Sequence, residues 1–356
     1  MMGSDDIRVA LIGYGLGGEV FHAPLVHAIE GMRLTSIVTV DPERRQRASR
    51  RYPDARILDR NDPSWVAPAD HDLVVVSTPN RFHVPLALTA IEAGVPVVVD
   101  KPLAPTSSEA EKLVSAADER GVFLSVFQNR RWDGDFLTVK RLLADGVLGA
   151  VVRFESRFER WRPDPRPDAW REVGDPEEGG GLLLDLGSHL VDQAVSLFGE
   201  PTSVYAELDR RRRGAEVDDD SFVALTHANG ERSHLWMSVV ARLLGPRLRV
   251  LGLEGAYEKH GLDPQEDALA SGGTPASESW GREPPERWGV LATDAEQPIE
   301  TERGRYQDYY AGVAESLRTG GAPPVDPRDS VEVLRILEAA VRSAASGTVE
   351  YHTFNP

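Results

Sequence analysis

Hydrophobic and polar positions in the first third of the chain alternate between short apolar runs and amphipathic stretches. This is the pattern of a parallel sheet covered by helices on both faces. Ile7 to Ile12 (IRVALI) predicts a buried strand, Gly18 to Ile29 a helix, and Arg33 to Val40 a second strand. Pro42, suited to the first position of a helix, opens an Arg-rich helical stretch to Arg51. Asp72 to Ser77 (DLVVVS) is the clearest central strand, β-branched after Leu73 and broken by Pro79. Val84 to Ala93 predicts a helix closed by Gly94, and Val97 to Val99 a further strand ending in Asp100-Lys101-Pro102. Thr106-Ser107-Ser108-Glu109 carries the N-cap chemistry of a helix to Arg120, and Val122 to Phe127 closes the sheet.

The pattern changes after residue 128. Phe136 to Ala144 predicts a helix, Val151 to Trp161 an alternating strand, and Trp161 to Pro176 an irregular loop rich in Pro and Arg. Leu182 to Phe198 predicts a helix behind a glycine triplet. Alternation then dominates at Ser203 to Arg211, Ser221 to Ala228, Ser233 to Val240 and Arg247 to Leu253, with Asn229-Gly230 as a hairpin turn. Asp263 to Arg287 has no periodicity and reads as a long mobile loop. Helices near Tyr306 to Arg318 and Ser330 to Ser346 finish the chain. The fold class is therefore α/β. A doubly wound parallel Rossmann sheet spans 1–127, and an α+β domain with a mostly antiparallel open sheet spans 128–356, its last helix free to pack back on the first domain.

Composition narrows the function classes. The 356 residues suit two domains, and 41% hydrophobic with 27% charged residues is enough for real cores. A net charge of −17 argues against nucleic acid and anionic lipid as partners. The absence of cysteine removes disulfides, thiolate catalysis and Cys-ligated metal centres. No apolar run approaches the ~18–20 residues of a membrane span, and Met1 to Asp6 carries acid where a signal peptide needs base. A cytoplasmic protein is expected. Lysine occurs only at Lys101, Lys112, Lys140 and Lys259, against 36 arginines. A GC-rich coding bias accounts for this, and makes each surviving lysine worth a closer look.

Three stretches carry chemistry. Gly13-Tyr14-Gly15-Leu16-Gly17-Gly18 fits G-x-G-x-x-G directly after the first strand, where glycines let backbone amides approach a pyrophosphate at a helix N-terminus. A structural glycine turn is the bland alternative. At the end of the second strand, Thr39 stands where an NAD-type acid belongs, with Asp41, Arg44 and Arg45 beyond it; this favours NADP, with NAD the alternative if Asp41 reaches the ribose. Lys101 lies at the carboxyl end of a parallel strand, where its ammonium can stabilise a developing alkoxide. On the helix after the glycine triplet, Asp185, His189 and Asp192 share one face at i, i+4 and i+7, and His189 suits a general base. No metal is expected. Ser77, Thr78, Asn80, His83, Asp100 and Gln128 are candidates to line the cofactor cleft, and Arg130, Trp132 and Trp161 to meet substrate. Val217-Asp218-Asp219-Asp220 reads as a turn, and His22, His27, His71, His227, His234, His260 and His352 have no partner visible in the sequence.

In this order the pieces resemble the Gfo/Idh/MocA family of nicotinamide-dependent oxidoreductases over nearly the whole chain. The carrying residues are Gly13 to Gly18, Asp100-Lys101-Pro102 where the family usually has Glu-Lys-Pro, and Asp185 with His189. The resemblance implies Lys101, Asp185 and His189 as the catalytic set, with Asp192 helping to hold the hydroxyls of a sugar or cyclitol. It also implies a homodimer or homotetramer formed through the C-terminal sheet. Phe21-His22-Ala23-Pro24, Gln128 to Asp135 (QNRRWDGD) and Gly261 to Glu266 (GLDPQE) look like the branch that contains NADP-dependent scyllo-inositol dehydrogenases. A non-catalytic dinucleotide sensor of the same fold is the rival reading.

Overall fold

The valine and isoleucine runs of the first third form fully buried strands because both their faces are covered. A computed structural model describes residues 6–166, 172, 174 and 179–351. The elements in chain order are β1 (Ile7–Ile12), α1 (Ala23–His27), β2 (Met32–Val38), α2 (Pro42–Arg51), β3 (Arg56–Leu58), β4 (Leu73–Val76), α3 (His83–Glu92), β5 (Val97–Asp100), α4 (Ser107–Arg120) and β6 (Leu124–Phe127). They continue with α5 (Gly134–Ala144), β7 (Val151–Glu159), α6 (Ser188–Phe198), β8 (Pro201–Asp209), β9 (Asp220–His227), β10 (Arg232–Ser238), β11 (Leu248–Gly252) and β12 (Ala256–Lys259). The last are α7 (Gln265–Ala270), β13 (Gly289–Ala292), β14 (Glu296–Ile299), α8 (Gln307–Thr319), α9 (Pro327–Ser346) and β15 (Glu350–Tyr351).

The chain divides into two compact units. The first holds the chain through Trp132, Pro264–Trp280 and Arg305–Val331; the second holds Asp133–Asp263, Gly281–Gly304 and the chain from Glu332. The first unit contains a six-stranded sheet in the order β3-β2-β1-β4-β5-β6, and every pairing in it is parallel. The order reverses between β1 and β4, the switch point outside which such sheets bind ligands at the carboxyl ends of their strands. Helix ends follow the expected chemistry. Asp41 caps α2 by accepting the Arg44 amide at 2.8 Å, and Thr106 caps α4 by accepting that of Glu109 at 3.3 Å.

The second unit is built on a nine-stranded sheet in the order β14-β13-β12-β11-β7-β10-β9-β8-β15. It is mixed: β7 and β10 pair parallel, and the other pairings are antiparallel. The Asn229-Gly230 turn joins β9 to β10, with Gly230 at φ 96°. Helix α6 lies against β7 and β10.

The structure departs from the sequence reading in several places. The boundary drawn at residue 127 moves to Trp132, and two later segments return to the first unit. Packing explains this: Tyr309 and Tyr310, both fully buried, lie 5.0 and 5.8 Å from the Phe127 ring, and Trp132 lies 5.6 Å from Tyr309. Asp263 to Arg287, read as a mobile loop, contains α7 and buries Asp263, Gln265, Leu269 and Trp280. Gln265 donates to the Trp132 carbonyl at 3.2 Å and accepts the Tyr306 amide at 2.7 Å. The helices expected after the glycine motif and after the glycine triplet each begin with a π-helical turn, at Gly17–His22 and Leu183–Gly187. Such turns leave no trace in hydrophobic periodicity. Finally β3, β12, β13 and β14 are three or four residues each and, unlike β4 and β5, contain no run of β-branched residues to mark them. The Trp161–Pro176 loop lies partly outside the described residues, and His352 lies wholly outside them.

Two of the histidines without a visible partner are structural. His71 bonds Ser36 at 2.9 Å, and His227 reaches the Gly199 carbonyl at 2.7 Å and Ser233 at 2.8 Å. Burial, the largest influence on both, holds them below the ordinary value of 6.5, so the fold keeps them neutral. The unfolded chain protonates them near pH 6.5 and thus binds more protons as the pH falls. Stability is then lost progressively below about pH 6.5. A urea midpoint measured at pH 7.5 and 5.5 should drop, and His227→Gln should flatten the dependence. An unchanged wild-type midpoint would contradict this account.

Candidate active site

The turn after β1 explains each of its glycines differently. Gly13 has φ 98°, and a Cβ there would lie 2.0 Å from the Ser77 carbonyl oxygen. A Cβ on Gly18 would lie 2.0 Å from the Gly13 carbonyl oxygen, and one on Gly17 would lie 2.5 Å from Ser77 Oγ and 2.7 Å from Asp100 Oδ2. Gly15 is different. Among the described residues its Cβ would meet only Arg44 Nη1, at an ordinary 3.8 Å, so none of them requires glycine there. Open space over a backbone that has no internal need of glycine fits the close approach of a pyrophosphate. The Tyr14 side chain is buried, which leaves its backbone to face a ligand, whereas Leu16 is exposed.

Strand β2 ends at Val38, two residues earlier than expected. Thr39 is buried, and its carbonyl accepts Arg45 Nη1 at 2.9 Å; Arg45 also bonds the Leu58 and Ile57 carbonyls and is thereby structural. Asp41 serves as the cap of α2. Arg44 makes no ion pair among the described residues and reaches toward Gly15.

The loops after β4, β5 and β6 bring further predicted residues to the same end of the sheet. Ser77 and Asn80 are buried, and Thr78 Oγ1 and Gln128 Oε1 are buried with no hydrogen-bond partner among the described residues. His83 lies 2.9 Å from the Thr78 carbonyl and 2.8 Å from that of Pro102, tying the two loops together. Burial holds its pKa below the ordinary value, so the neutral ring donates to one carbonyl at a time. Asp100 accepts Ser77 Oγ at 3.1 Å and the Lys101 amide at 2.8 Å, and lies 3.3 Å from His22 Nε2. Burial opposes its ionisation, but His22, His83 and Lys101 outweigh it and bring the carboxyl down to about 2. Lys101 itself is half-buried. Arg130 is committed within the first unit to Glu266 at 2.5 Å and Tyr306 at 3.3 Å, and the Trp132 ring packs on Tyr309.

In the second unit, Asp185 sits in the π-helical turn and is half-buried, whereas His189 and Asp192 on α6 are buried. The start of this helix is anchored by a residue the sequence reading left as part of a plain turn. Asp218 accepts the Leu183 amide and Ser221 Oγ, both at 2.7 Å, and a Cβ on Gly181 would lie 2.0 Å from its Oδ1. The last glycine of the triplet thus exists to admit this carboxylate. Asp219 beside it is fully buried and pairs with Arg212 at 2.9 Å. Arg247, also buried, bonds Gln193 on α6 at 3.1 Å, lies 3.6 Å from Asp135 and stacks 4.6 Å over Phe158, whose ring lies 6.5 Å from His189. Trp161 is exposed with Arg242 over its ring at 5.5 Å.

The first unit fits a dinucleotide. It has room at Gly15, a cation at Arg44, and orphaned polar atoms at Thr78 and Gln128. The sequence reading missed the partners of His22, namely Asp100 and Tyr310, and the anchoring by Asp218. Residues so far apart in the chain leave no local signal.

Comparison with known proteins agrees with this geometry. Residues 7–128 match the model of the Gfo/Idh/MocA oxidoreductase NAD-binding Rossmann fold, and residues 140–352 that of the family's C-terminal alpha/beta domain. The chain is 38% identical to scyllo-inositol 2-dehydrogenase (NADP(+)) of Bacillus subtilis, covering 96% of this chain and 94% of that one. It is 29% identical to D-apiose dehydrogenase of Paraburkholderia graminis, over 96% and 88%. The solved structure of yvaA from Bacillus subtilis superposes with a TM-score of 0.92 at 36% identity, over 99% of this chain and 100% of that one. Two adjoining family models and a Rossmann sheet with its glycine turn place this chain in the Gfo/Idh/MocA family of oxidoreductases.

Proposed function

We propose that the chain is an NADP-dependent dehydrogenase that interconverts a secondary alcohol of a cyclitol or sugar with the matching ketone. The observation that carries the reading is the empty space over Gly15, beneath the Arg44 guanidinium, in a Rossmann unit of this family. The cofactor preference rests on Arg44, on Thr39 where an NAD-type acid would stand, and on Asp41, whose Oδ1 is engaged in capping α2. The substrate class rests on the relatives that act on scyllo-inositol and D-apiose.

A bound nicotinamide supplies hydride exchange. The chain's own part is the proton. His189 accepts it from the substrate hydroxyl, Asp185 orients the imidazole, and the Lys101 ammonium donates a hydrogen bond to the oxygen as charge develops on it. Asp192 would hold neighbouring hydroxyls, and Trp161 is the remaining substrate candidate; the commitment of Arg130 to Glu266 and Tyr306 makes it a support rather than a ligand. Assembly into a homodimer or homotetramer through the second sheet belongs to the same reading. Among the described residues, no helix is long and apolar enough to cross a membrane.

Absorbance of reduced nicotinamide, read with a panel of inositols and aldoses and with NAD and NADP in separate wells, tests the reading. Signal with a polyol and NADP supports it. Silence across the panel, with dinucleotide binding shown separately, favours a sensor. Arg44→Ala should raise the KM for NADP about ten- to a hundredfold, the scale of a lost charged hydrogen bond, and leave that for NAD nearly unchanged. Equal changes for both cofactors would remove Arg44 from the 2′-phosphate.

A further inference from the structure

The Phe21-His22-Ala23-Pro24 stretch has no part in the chemistry described so far, yet His22 is fully buried directly behind the glycine turn. Its Nδ1 lies 2.6 Å from the Tyr310 hydroxyl, its Nε2 lies 3.3 Å from Asp100 Oδ2, and its ring lies 4.3 Å from that of Phe127. Asp100 uses both carboxylate oxygens. Oδ1 accepts the backbone amide of Lys101, and Oδ2 accepts Ser77 Oγ and lies 2.7 Å from where a Cβ on Gly17 would be. One carboxylate therefore touches the glycine turn, the end of β4 and the lysine at the end of β5. An aspartate is shorter than a glutamate and has few rotamers, so what holds it laterally decides where these three segments sit.

We propose that His22, fixed by Tyr310, is a positioning residue that acts through Asp100 to align the dinucleotide turn with Lys101. The part concerning Lys101 rests on the proposed function; the part concerning the glycine turn does not. Geometry dictates the order of the chain. Tyr310 limits the His22 ring to one orientation, His22 limits the carboxylate, and the carboxylate limits both the Lys101 backbone and the approach of Gly17 to Ser77.

A double-mutant cycle on His22→Ala and Asp100→Asn tests this, with Tyr310→Phe as a milder variant that removes one oxygen atom and His22→Gln as one that keeps a polar side chain beside Asp100. NADPH affinity is read by tryptophan fluorescence, kcat on an accepted polyol, and folding by thermal unfolding. Each single variant should weaken NADPH binding and lower kcat by about tenfold, within the range of coupled neighbours. The double variant should be no worse than Asp100→Asn alone, and His22→Gln should recover part of the loss. Losses that multiply in the double variant, or a lowered melting temperature with wild-type affinity and kcat in His22→Ala and Tyr310→Phe, would overturn the proposal. Lys101→Ala separates the two readings. If it keeps full turnover, the catalytic assignment fails, while the NADPH-affinity cycle still decides whether His22 works through Asp100.

Discussion

Replacing His189 with alanine should lower kcat by on the order of 10²–10⁴-fold, the usual contribution of a positioned general base. His189 is buried on α6, and the start of its helix is held by the Asp218 carboxylate on the Leu183 amide. A histidine placed so firmly loses little entropy on reaching its reactive geometry, which is what proton transfer to a positioned base needs. The measurement is steady-state turnover with saturating NADP and polyol, alongside dinucleotide affinity. Affinity should stay near wild type, because the glycine turn and Arg44 belong to the other unit. A fall in kcat of less than a few-fold would remove His189 from the chemistry and leave Lys101 as the group to test next.

Two glycine-to-alanine substitutions, two residues apart, should separate fold from binding at the glycine turn. Gly13→Ala forces an L side chain to φ 98° and drives its Cβ to 2.0 Å from the Ser77 carbonyl, which belongs to the strand end and cannot swing away. Strain of this kind costs about 1–3 kcal/mol before any clash is counted, so the variant should unfold at markedly lower urea and bind no dinucleotide. Gly15→Ala meets only the end of the flexible Arg44 side chain. Its stability should stay within about 0.5 kcal/mol of wild type, while dinucleotide affinity falls because the added methyl occupies the space the pyrophosphate needs. Denaturant midpoints and a fluorescence titration on both variants decide the matter. Wild-type affinity in Gly15→Ala would mean that the pyrophosphate does not pass over this residue.

The two halves of the chemistry differ in how they could be read. The glycine turn, Lys101 and the His189 helix each lie within a short stretch whose residue types and spacing suggest the chemistry proposed for them, and the flanking strand and helix patterns placed them at strand ends and on a helix. Asp41 shows the limit of such reading. Its position near the end of β2 marks it in the sequence as a possible ribose ligand, and the hydrogen bond from the Arg44 amide gives it a second role as the cap of α2 that the sequence reading did not contain. Arg130 likewise follows β6 on the ligand side, but its ion pair with Glu266 on α7 comes from a segment that shows no periodicity at all.

The sequence by itself determined the α/β class, the parallel first sheet, the glycine turn and the family resemblance, because each depends on residues close together in the chain and on local periodicity. Only the tertiary structure decided that Asp263 to Arg287 is packed rather than loose, that Tyr309 and Tyr310 return to Phe127, that Asp218 starts the His189 helix, and that His22 reaches Asp100. Such contacts join residues tens to hundreds of positions apart, and their stability comes from burial and from polar groups satisfied at a distance, for which the chain carries no local mark.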